Sequence, residues 1–550
     1  MLVDLQHFDL YCLLGCLTGA KYLSQLTGAG LVGIVGQNTT QRWEGRPEDY
    51  DEGLIRQLAE AFGVRLFLPA DLGSLMGFAR DRPDLTESIR GDLARFEQVW
   101  ATEGAPDWAA LARFESADGA DTGRCVADSA AKVMGHPRPG REATALVRDL
   151  MAEALHLRAF THWICETAEV IGYVTSHICY SGWATLATTV SEHGGRVVLA
   201  ESLPNGTSFS LIEPGHPSVS RIGDRRAAGL ADLFDELMSY QGPTHDGMRA
   251  KTAALLGAPT GPAAGWWKVD QASTVDRSPT SPLRRQALDK LGVPVADRPI
   301  CFVLSHCLTD AARQESCLYD DYYAWLLATL ELASETDDRL WVIRLHPWHR
   351  IYREGAAVAE LKERFGSVEH IRFDDGLLSK DEYFSACDLA VTVRGTAAWE
   401  LARFGIPVIA AGRSWYERAG FVHAPVSVEA YEQLLRRPML ELVELPGDVD
   451  AALSFAMMVM LLLPLASPLC PPREEYPYPS LIPGLNTRYR SMVLELDPAF
   501  RALSAAWLGR RGAAMNGDLL SLLAEDRVSD PAQTGLRREL ARWADHLRAA

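Results

Sequence analysis

Short apolar runs alternate with amphipathic stretches along most of this chain, and most regularly in its second half. Apolar runs of strand length occupy 299–306, 339–347, 368–375, 388–395 and 406–412. Stretches with helical periodicity lie between them at 320–335, 356–365, 379–386 and 396–404. Regular alternation of this kind is typical of parallel strands joined by helices. The pattern predicts a doubly wound α/β domain over 299–463.

The first half carries the same signals in a weaker form. Apolar runs at 31–37, 64–70, 169–177 and 195–202 predict strands, and the periodicity at 50–62 and 141–160 predicts helices. Residues 100–140, rich in Gly, Ala and Asp, fit neither pattern. We interpret residues 1–240 as a first Rossmann-like domain, which would make the chain an α/β protein of two doubly wound domains.

Two stretches of breaker residues set the remaining limits. Residues 241–298 contain GPTHDG, GAPTGPAAG and DRSPTSPL, whose Gly and Pro content interrupts regular structure, so we place an interdomain linker region there. Residues 464–487 carry seven prolines and cannot form a continuous helix. A helical pattern follows from about 497, so 464–550 are predicted to be a Pro-rich connector and a helical tail.

Composition excludes some classes of function. Of the 550 residues, 47% are hydrophobic and 23% charged, as in ordinary globular proteins. The 54 basic and 72 acidic residues give a formal charge of −18, which opposes loose binding to nucleic acid. Nucleic acid is therefore not a predicted partner, although a local basic cleft would still bind a small anion.

Cysteine spacing and the amino-terminal sequence predict the cellular compartment of the protein. The ten cysteines include no CxxC pair, which predicts free thiols in a reducing cytoplasm and no structural metal site. The apolar amino terminus lacks a basic leader and contains Asp4, His7 and Asp9, which argues against a signal peptide. The apolar run 455–463 is far shorter than the roughly 20 residues of a membrane helix. We expect a cytoplasmic protein.

The run WVIRLHP ends in residues suited to phosphate. Ligands of open α/β sheets bind at the carboxyl ends of strands, where Arg344 and His346 would donate hydrogen bonds to a phosphate or diphosphate leaving group. Pro347 fixes the turn that leaves the sheet. Taken alone, the dipeptide His346-Pro347 is more simply explained as the start of a loop.

The run DLAVTVRGTAAWE predicts a strand that turns into a helix at Gly395. The N–H groups of a helix beginning near Thr396 would favour a bound anion, and Gly395 would let the backbone approach it closely. Glu400 lies one turn further, within reach of ribose hydroxyls. This unit is built like half of a nucleotide site.

Three other motifs are explained by local structure at least as well as by function. The Gly28–Gly33 segment matches GxGxxG, but its glycines precede and enter a strand, whereas the dinucleotide fingerprint follows one, so we interpret it as a turn. The acidic segment Asp374–Gly376 is interpreted as a loop cap. His306 and Asp310 suggest a metal or substrate contact, but capping and solvation explain them as well, and no third ligand is spaced for a metal.

The order of several motifs resembles a known family. FVLSH, DDYYAWLLATLELA, LWVIRLHP and CDLAVTVRGTAAWELARFGIPVIAAGRSWYERAGF resemble bacterial capsule and surface polysaccharide biosynthesis proteins, which are GT-B glycosyltransferases that include the Kdo transferases of capsule assembly. The resemblance covers about 299–421. It implies a GT-B fold and a set of donor-binding residues: His346, Pro347, Gly395 and Thr396, with Arg344, Arg394 and Glu400 as helpers and Ser305 and Tyr416 as lesser candidates.

The first domain supplies candidates for proton transfer. In YVTSHICYSGWATLATTVSEHGGRVVLAES, His177 follows one predicted strand and Glu201 ends the next. Proteins of the same broad group have similar residues facing the interdomain cleft, so His177 and Glu201, with His346, are the predicted catalytic residues. A buried, structurally satisfied His177 explains the pattern equally well.

The resemblance implies a glycosyltransferase that needs no cofactor, because the nucleotide sugar is its substrate. The sequence has no evident acidic metal motif, so we expect the reaction to be metal-independent. The implied donor is CMP-Kdo or a related nucleotide sugar, and the acceptor a surface polysaccharide or lipid-linked glycan. Such an acceptor would place the protein in peripheral contact with the inner membrane or with the polysaccharide assembly machinery. Arg394-Gly395-Thr396 replaces the Asn-Ser-Thr of some relatives, which leaves the base and sugar open. The alternatives are a CDP-polyol phosphotransferase of the teichoic-acid type and a non-catalytic nucleotide-binding scaffold.

Overall fold

A computed structural model describes this protein over most of its length. The described residues are 1–7, 9–40, 50–100, 106–203, 206–215, 218–240, 242–257, 275–293, 298–313, 317–445, 447–470, 484, 492, 494–516, 519–520 and 523.

The first domain is built on a six-stranded sheet. Its strands are β1 (Leu2–Asp4), β2 (Val32–Val35), β3 (Leu66–Pro69), β4 (Gly172–Thr175), β5 (Arg196–Leu203) and β6 (Gly206–Ile212). They lie in the order β3-β2-β1-β4-β5-β6, and all pairs are parallel except the antiparallel pair β5–β6. Leu2 and Val3 of β1 pack into apolar clusters on opposite faces, as the alternation of a strand requires. The sheet is therefore buried on both sides.

Ten helices are described in this half, and the last of them packs against the helix Val449–Met457 of the second domain. They are α1 (Leu10–Thr27), α2 (Glu52–Ala61), α3 (Leu72–Arg80), α4 (Pro83–Trp100), α5 (Trp108–Ala112), α6 (Thr122–Met134), α7 (Thr144–Thr167), α8 (Ser181–Glu192), α9 (Val219–Met238) and α10 (Pro243–Gly257). A 3₁₀ turn, Arg141–Ala143, precedes α7. The helices α4 to α7 form a second layer with its own core around Phe96, Trp108 and Leu150.

The second domain is built on a five-stranded parallel sheet. Its strands are β7 (Ile300–Leu304), β8 (Leu340–Arg344), β9 (Ile371–Asp374), β10 (Leu389–Thr392) and β11 (Val408–Ala410), in the order β11-β10-β7-β8-β9. The described helices are α11 (Pro282–Lys290), α12 (Tyr322–Glu335), α13 (Gly355–Phe365), α14 (Lys380–Ala386), α15 (Ala397–Ala402), α16 (Val428–Leu435), α17 (Met439–Leu442) and α18 (Val449–Met457). A 3₁₀ turn, Pro347–Arg350, follows β8, and a π-helical turn, Met458–Leu462, continues α18.

The strand order of each sheet reverses at one place. In the first sheet, β1 has β2 on one side and β4 on the other, and in the second, β7 has β8 on one side and β10 on the other. Connections leave in opposite directions at such a switch point, and this opens a crevice at the carboxyl ends of the two central strands. Each domain therefore has one such crevice.

A buried ion pair fixes the domains to each other beside these crevices. The guanidinium of Arg313 from the second domain contacts the carboxylate of Asp128 on α6 of the first, with Nη1 3.4 Å from Oδ1. Nη2 of Arg313 also donates to Oδ2 of Asp321 at 3.0 Å and to the carbonyl of Pro137 at 2.6 Å. Arg124 of α6 donates in return to the carbonyl of Arg313 at 2.7 Å. The helix α6 is thus bonded to the loop that follows β7.

The chain after the π-helical turn returns to the first domain. Leu465 forms a bridge with Thr207 of β6, and Ala513 forms one with Ser210. The 3₁₀ turn Leu494–Leu496 and helix α19 (Pro498–Gly509) lie between these bridges in sequence, and α19 packs on α1. None of the helices in the described parts of the chain has both the length and the apolar character needed to cross a bilayer.

The predicted fold class is confirmed: two doubly wound, Rossmann-like α/β domains face a cleft, with a helical extension at the carboxyl-terminal end. The Gly28–Gly33 segment does precede and enter β2, as interpreted. The sequence prediction missed β1, β6 and the helices of 83–134. The domain limits at 240, 298 and 463 stay predictions, and most of the predicted tail beyond 516 lies outside the described residues.

Candidate functional site

Polar residues follow the central strands of both sheets. The pairing of Leu304 with Arg344 and with Thr392 brings the ends of β7, β8 and β10 level with one another. The hydroxyl of Tyr180, at the start of α8 in the first domain, donates to Oδ1 of Asp310 in the loop after β7 at 2.8 Å. Because this bond crosses between the loops after β4 and β7, the two crevices open on one interdomain cleft.

In the first domain, two stacked imidazoles lie at the switch point. The rings of His7 and His177 are 4.9 Å apart with an interplanar angle of 13°, and Trp183 lies 5.2 Å from His177. The backbone N–H of Asp9 donates to Nδ1 of His7 at 2.9 Å, and Ser176 Oγ lies 2.9 Å from Nδ1 of His177. Burial lowers the pKa of His7 to about 4 and the pKa of His177 well below its usual range. Both rings are neutral at neutral pH.

A buried carboxylic acid joins the ends of the two strands that precede these histidines. Asp4 ends β1 and is fully buried, and its Oδ2 accepts a hydrogen bond from Thr175 Oγ1 of β4 at 3.1 Å. Its Oδ1 accepts from the backbone N–H of Gln6 at 3.0 Å. Burial raises the pKa of Asp4 to about 6 despite these donors. Asp4 therefore fixes the ends of β1 and β4 together.

The cleft contains an unusual concentration of left-handed backbone. Among non-glycine residues of the described chain, φ is positive at Tyr180 (66°), Ala311 (51°), Arg353 (59°) and Arg510 (51°). The first three lie where the domains meet, and Tyr180 and Ala311 share a small apolar cluster with Trp183. A bulky residue in this region costs about 1–3 kcal/mol and persists only where surrounding contacts impose it. Such strain is concentrated at functional sites.

Lys132 of α6 is a site residue that the sequence prediction missed. Its Nζ lies 4.2 Å from the centre of the Tyr180 ring and 5.8 Å from that of Tyr352, which is cation–π geometry. Its charge also contributes to lowering the pKa values of His7, His177 and Asp310. No sequence signal marks it, because a lysine in a poorly patterned helix is ordinary.

Asp310 is the carboxylate at the centre of the cleft. Burial opposes its ionisation, but nearby His306 and Lys132 and hydrogen bonds from Tyr180 and Tyr352 outweigh burial and lower the pKa of Asp310. It is therefore a charged group that accepts bonds from one residue of each domain. The sequence prediction considered Asp310 but left its role open.

His346 follows β8 in the second domain, as predicted. Its backbone N–H donates to Oγ of Ser305 at 2.9 Å, and its ring lies 5.8 Å from that of His306. Pro347 begins the 3₁₀ turn after it. Burial lowers the pKa of His346 to about 4, and the neighbouring His306 acts in the same direction. Ser305, His346 and Pro347 thus lie together at the cleft.

Arg344 and Glu400 are each engaged by another side chain. Arg344 forms an ion pair with the fully buried Asp374, and its guanidinium lies 4.2 Å from the centre of the Tyr383 ring. Glu400 forms an ion pair with Lys380. Both assignments to donor binding stay predictions. Oδ1 of Asp374 also accepts from the N–H groups of the two residues that follow Asp375, which confirms the interpretation of this segment as a loop cap.

The turn after β10 is fixed by Tyr416. The hydroxyl of Tyr416 donates to the carbonyl of Gly395 at 2.9 Å. A Cβ added at Gly395 would lie 3.5 Å from Oγ1 of Thr392, an ordinary contact, so the fold itself does not require glycine there. The helix that follows Thr396, α15, is only six residues long. Arg394 lies half-buried in the same turn.

Glu201 is separated from this cluster by its own partner. It lies near the end of β5 and forms an ion pair with Arg226 of α9. That guanidinium lies 5.8 Å from the ring of Trp415 in the second domain. Its predicted role as a base therefore requires that it leave Arg226, and it stays a prediction.

Comparisons with known proteins give structural similarity only. No protein-family model matches this chain, and no curated protein matches it. The solved β-Kdo 2,7-transferase KpsC of Thermosulfurimonas dismutans is similar over 55% of this chain and 80% of its own, at 12% identity and a TM-score of 0.31. HepE of Anabaena, solved with UDP and glucose, is similar over 84% and 94%, at 11% identity and a TM-score of 0.26.

A third solved structure is the UDP-GlcNAc 2-epimerase of Methanocaldococcus jannaschii, in complex with UDP-GlcNAc and UDP. It is similar over 55% of this chain and 79% of its own, at 12% identity and a TM-score of 0.24. Similarities at these identities and TM-scores carry no conclusion about activity.

Proposed function

We propose that this chain is a glycosyltransferase that transfers a sugar from a nucleotide-sugar donor to a glycan or lipid-linked acceptor. The observation that carries the proposal is the convergence of both switch points on one cleft, with neutral imidazoles on its two sides. His177 lies after β4 of the first domain and His346 after β8 of the second. Each has a ring nitrogen, Nε2, that makes no hydrogen bond within the described part of the chain.

His346 is proposed to stabilise the leaving group. As the bond between sugar and phosphate breaks, negative charge grows on the phosphate oxygen, and a donor already oriented toward it stabilises the transition state more than the ground state. A neutral imidazole donates through Nε2–H at any pH well above 4, the pKa to which burial lowers it. Gly395 and Thr396 lie at the end of β10, the other wall of the same crevice.

His177 is proposed to take the proton of the acceptor hydroxyl. Its low pKa keeps the ring unprotonated and so able to accept, although it makes the imidazole a weak base. Proton transfer would then occur late, as the hydroxyl attacks the sugar and becomes acidic.

The donor and acceptor classes rest on the resemblance of 299–421 to capsule and surface polysaccharide proteins. CMP-Kdo or a related nucleotide sugar is the proposed donor, and a surface polysaccharide or lipid-linked glycan the proposed acceptor. The reaction is proposed to be metal-independent. Work on a lipid-linked acceptor would take place at the inner surface of the cell membrane.

Donor turnover tests the proposal. Purified protein is incubated separately with CMP-, UDP- and GDP-sugars and with a CDP-polyol, and the released nucleotide, sugar and polyol phosphate are measured by chromatography. We expect His346→Gln to reduce release of the sugar at least tenfold, an effect of about 1.4 kcal/mol or more. The matched control is His370→Gln, since His370 precedes β9 and bonds the carbonyl of Ala333 at 2.8 Å, away from the cleft.

The same assay distinguishes the alternatives. Release of a polyol phosphate from a CDP-polyol would identify a phosphotransferase of the teichoic-acid type. Binding of nucleotide without turnover of any donor would favour a scaffold. Equal activity of His346→Gln and His370→Gln would contradict the proposed role of His346.

A further inference from the structure

The imidazole of His346 is approached by two groups on the same ring nitrogen. Its Nδ1 lies 3.0 Å from Sγ of Cys307 and 3.2 Å from the backbone N of Trp348. A backbone N–H is only a donor, so Nδ1 must accept from Trp348. The neutral ring therefore carries its proton on Nε2, and the thiol of Cys307 donates the second hydrogen bond to Nδ1.

Cys307 is not a nucleophile in this arrangement. Burial raises the pKa of its thiol well above the usual range, with the carboxyl groups of Glu354 and Asp310 acting in the same direction. Burial lowers the pKa of His346 instead of raising it. A thiolate–imidazolium pair needs both opposite shifts. The contact is therefore a hydrogen bond between a neutral thiol and a neutral imidazole.

We propose that Cys307 is a positioning residue whose thiol fixes Nδ1 of His346 as an acceptor and so presents Nε2–H to the phosphate of the donor. This inference rests on the proposed function, since it gives the donor bond its orientation. The ring is bonded to Cys307, in the loop after β7, and to the backbone N–H of Trp348 in its own turn. The backbone N–H of His346 is bonded to Ser305, also after β7. The ring has no other hydrogen bond in the residues that the structure describes.

A thiol suits this position because it is a weak acceptor. A ring with its proton on Nδ1 would have to donate toward the sulfur, which binds such a proton poorly. Replacing Cys307 by alanine removes the donor and leaves only the longer bond from Trp348. Replacing it by serine keeps an O–H that can donate, and the N–H of Trp348 still disfavours a proton on Nδ1, so serine should substitute for cysteine although its hydroxyl is the better acceptor.

The tautomer can be measured directly. Full-length protein labelled with ¹⁵N-histidine is compared with its His346→Gln variant, which identifies the two ring nitrogens of His346 by their disappearance. We expect a pyrrole-type signal at Nε2 and a pyridine-type signal at Nδ1 between pH 6 and 8. Cys307→Ala should shift both signals toward each other, as the second tautomer becomes populated, and Cys307→Ser should restore them.

A proton on Nδ1 in the wild-type protein would overturn the inference, as would identical His346 signals in the wild type and Cys307→Ala. If Cys307→Ala does not fold, the wild-type and Cys307→Ser spectra still decide the tautomer. Cys301→Ala is the matched control, because Cys301 is a fully buried thiol of β7 that does not contact His346. Its spectrum should retain the wild-type His346 signals.

Binding supplies a second readout. UDP and CMP are titrated separately into the wild type, Cys307→Ala, His346→Gln and the double variant. We expect Cys307→Ala to lower the affinity for whichever nucleotide binds by about fivefold, the effect of one hydrogen bond of about 1 kcal/mol. In the His346→Gln background, Cys307→Ala should cause no further loss of affinity. An equal loss in both backgrounds would contradict a role through His346. Failure of the wild type to bind either nucleotide would count against the proposed function, whereas the tautomer tests the positioning role.

Discussion

The hydroxyl of Tyr180 donates to Oδ1 of Asp310 at 2.8 Å and joins the two domains at the cleft. The backbone of Tyr180 is left-handed, with φ of 66°, and its ring lies under Nζ of Lys132. The strained conformation of Tyr180 is therefore maintained by one contact from the second domain and one from α6. His177 lies three residues before it, so this bond also bears on the position of the proposed base.

Tyr180→Phe removes only the interdomain hydroxyl. We expect the free energy of unfolding to fall by about 1–2 kcal/mol, because buried Asp310 loses one donor. Donor turnover should fall several-fold as the strained backbone relaxes. Thermal denaturation and steady-state assays measure both effects.

Tyr323→Phe is the control for that change. Its hydroxyl donates to Oε2 of Glu360 at 3.1 Å within the second domain, so the same chemical group is lost without an interdomain bond. Turnover should be retained in this variant. Equal losses of turnover in both variants would show that the interdomain position of the Tyr180 bond has no special effect.

Gly135 tests how closely the domains must approach. It ends α6 with φ of 66°, and a Cβ added there would lie 2.7 Å from the carbonyl oxygen of Arg353 in the second domain. We expect Gly135→Ala to lower stability by about 2 kcal/mol or more, from backbone strain plus the clash. Gly28→Ala is the control, because Gly28 has φ of 75° but nothing within 4 Å of the added Cβ. If Gly135→Ala lowers the free energy of unfolding no more than Gly28→Ala does, the domains can move apart at Gly135 at little cost in stability.

Buried Glu354 should make the stability of the folded protein depend on pH. Its Oε1 accepts from the N–H and the hydroxyl of Thr309, both at 2.8 Å, and burial raises its pKa to about 7. The folded state therefore binds this proton more tightly than the unfolded state. The stability from Glu354 is fully present below pH about 4.5 and is lost as the pH rises through about 7.

Glu354→Gln should remove this dependence, since glutamine cannot titrate. We expect the melting temperature of the wild type to fall relative to that of Glu354→Gln between pH 5 and pH 8. If the melting temperatures of the two proteins change with pH in the same way over this range, Glu354 is not the source of the pH dependence.

Gly395→Ala separates folding from ligand approach. Because an added Cβ meets only an ordinary contact at 3.5 Å, stability should change by no more than about 1 kcal/mol, in either direction. Nucleotide affinity should fall at least tenfold if the ligand lies as close to the backbone of Gly395 as the sequence predicts. Gly77→Ala on α3, where nothing lies within 4 Å, gives the background effect on stability. Unchanged affinity in Gly395→Ala would place the ligand elsewhere.

The second domain could be predicted from the sequence because buried parallel strands give continuous apolar runs. Phe302 and Val303 of β7 face opposite apolar clusters, so both faces of the strand are apolar. The strand β1 was missed because its three residues lie within a longer apolar terminus that lacks the flanking turn residues that mark the limits of a strand. The strand β6 was missed because its pattern, GTSFSLI, resembles a loop until β5 and the returning chain pack against it.

The site could be predicted only where it is local in sequence. His346 and His177 follow strands directly, and strand ends are visible as the limits of apolar runs. Lys132 and the Tyr180–Asp310 bond depend on contacts between residues far apart in the chain, 130 positions for the bond. The pairing of Glu201 with Arg226 likewise joins a strand to a distant helix, so the sequence alone could not show that this carboxylate has a partner.

Thermal stabilisation by nucleotides is the sharpest test of donor binding at His346. Wild type, His346→Gln and His370→Gln are heated with CMP, UDP, GDP or CDP, and the melting temperature is recorded as a function of nucleotide concentration. Ligand that binds only the folded state at 100 times its Kd adds about 2.7 kcal/mol of stability, which is easily measured. We predict that at least one nucleotide stabilises the wild type and His370→Gln, and that His346→Gln responds only at higher concentration. No stabilisation of the wild type by any of the four nucleotides, or an identical response in all three proteins, would show that His346 does not bind a nucleotide donor.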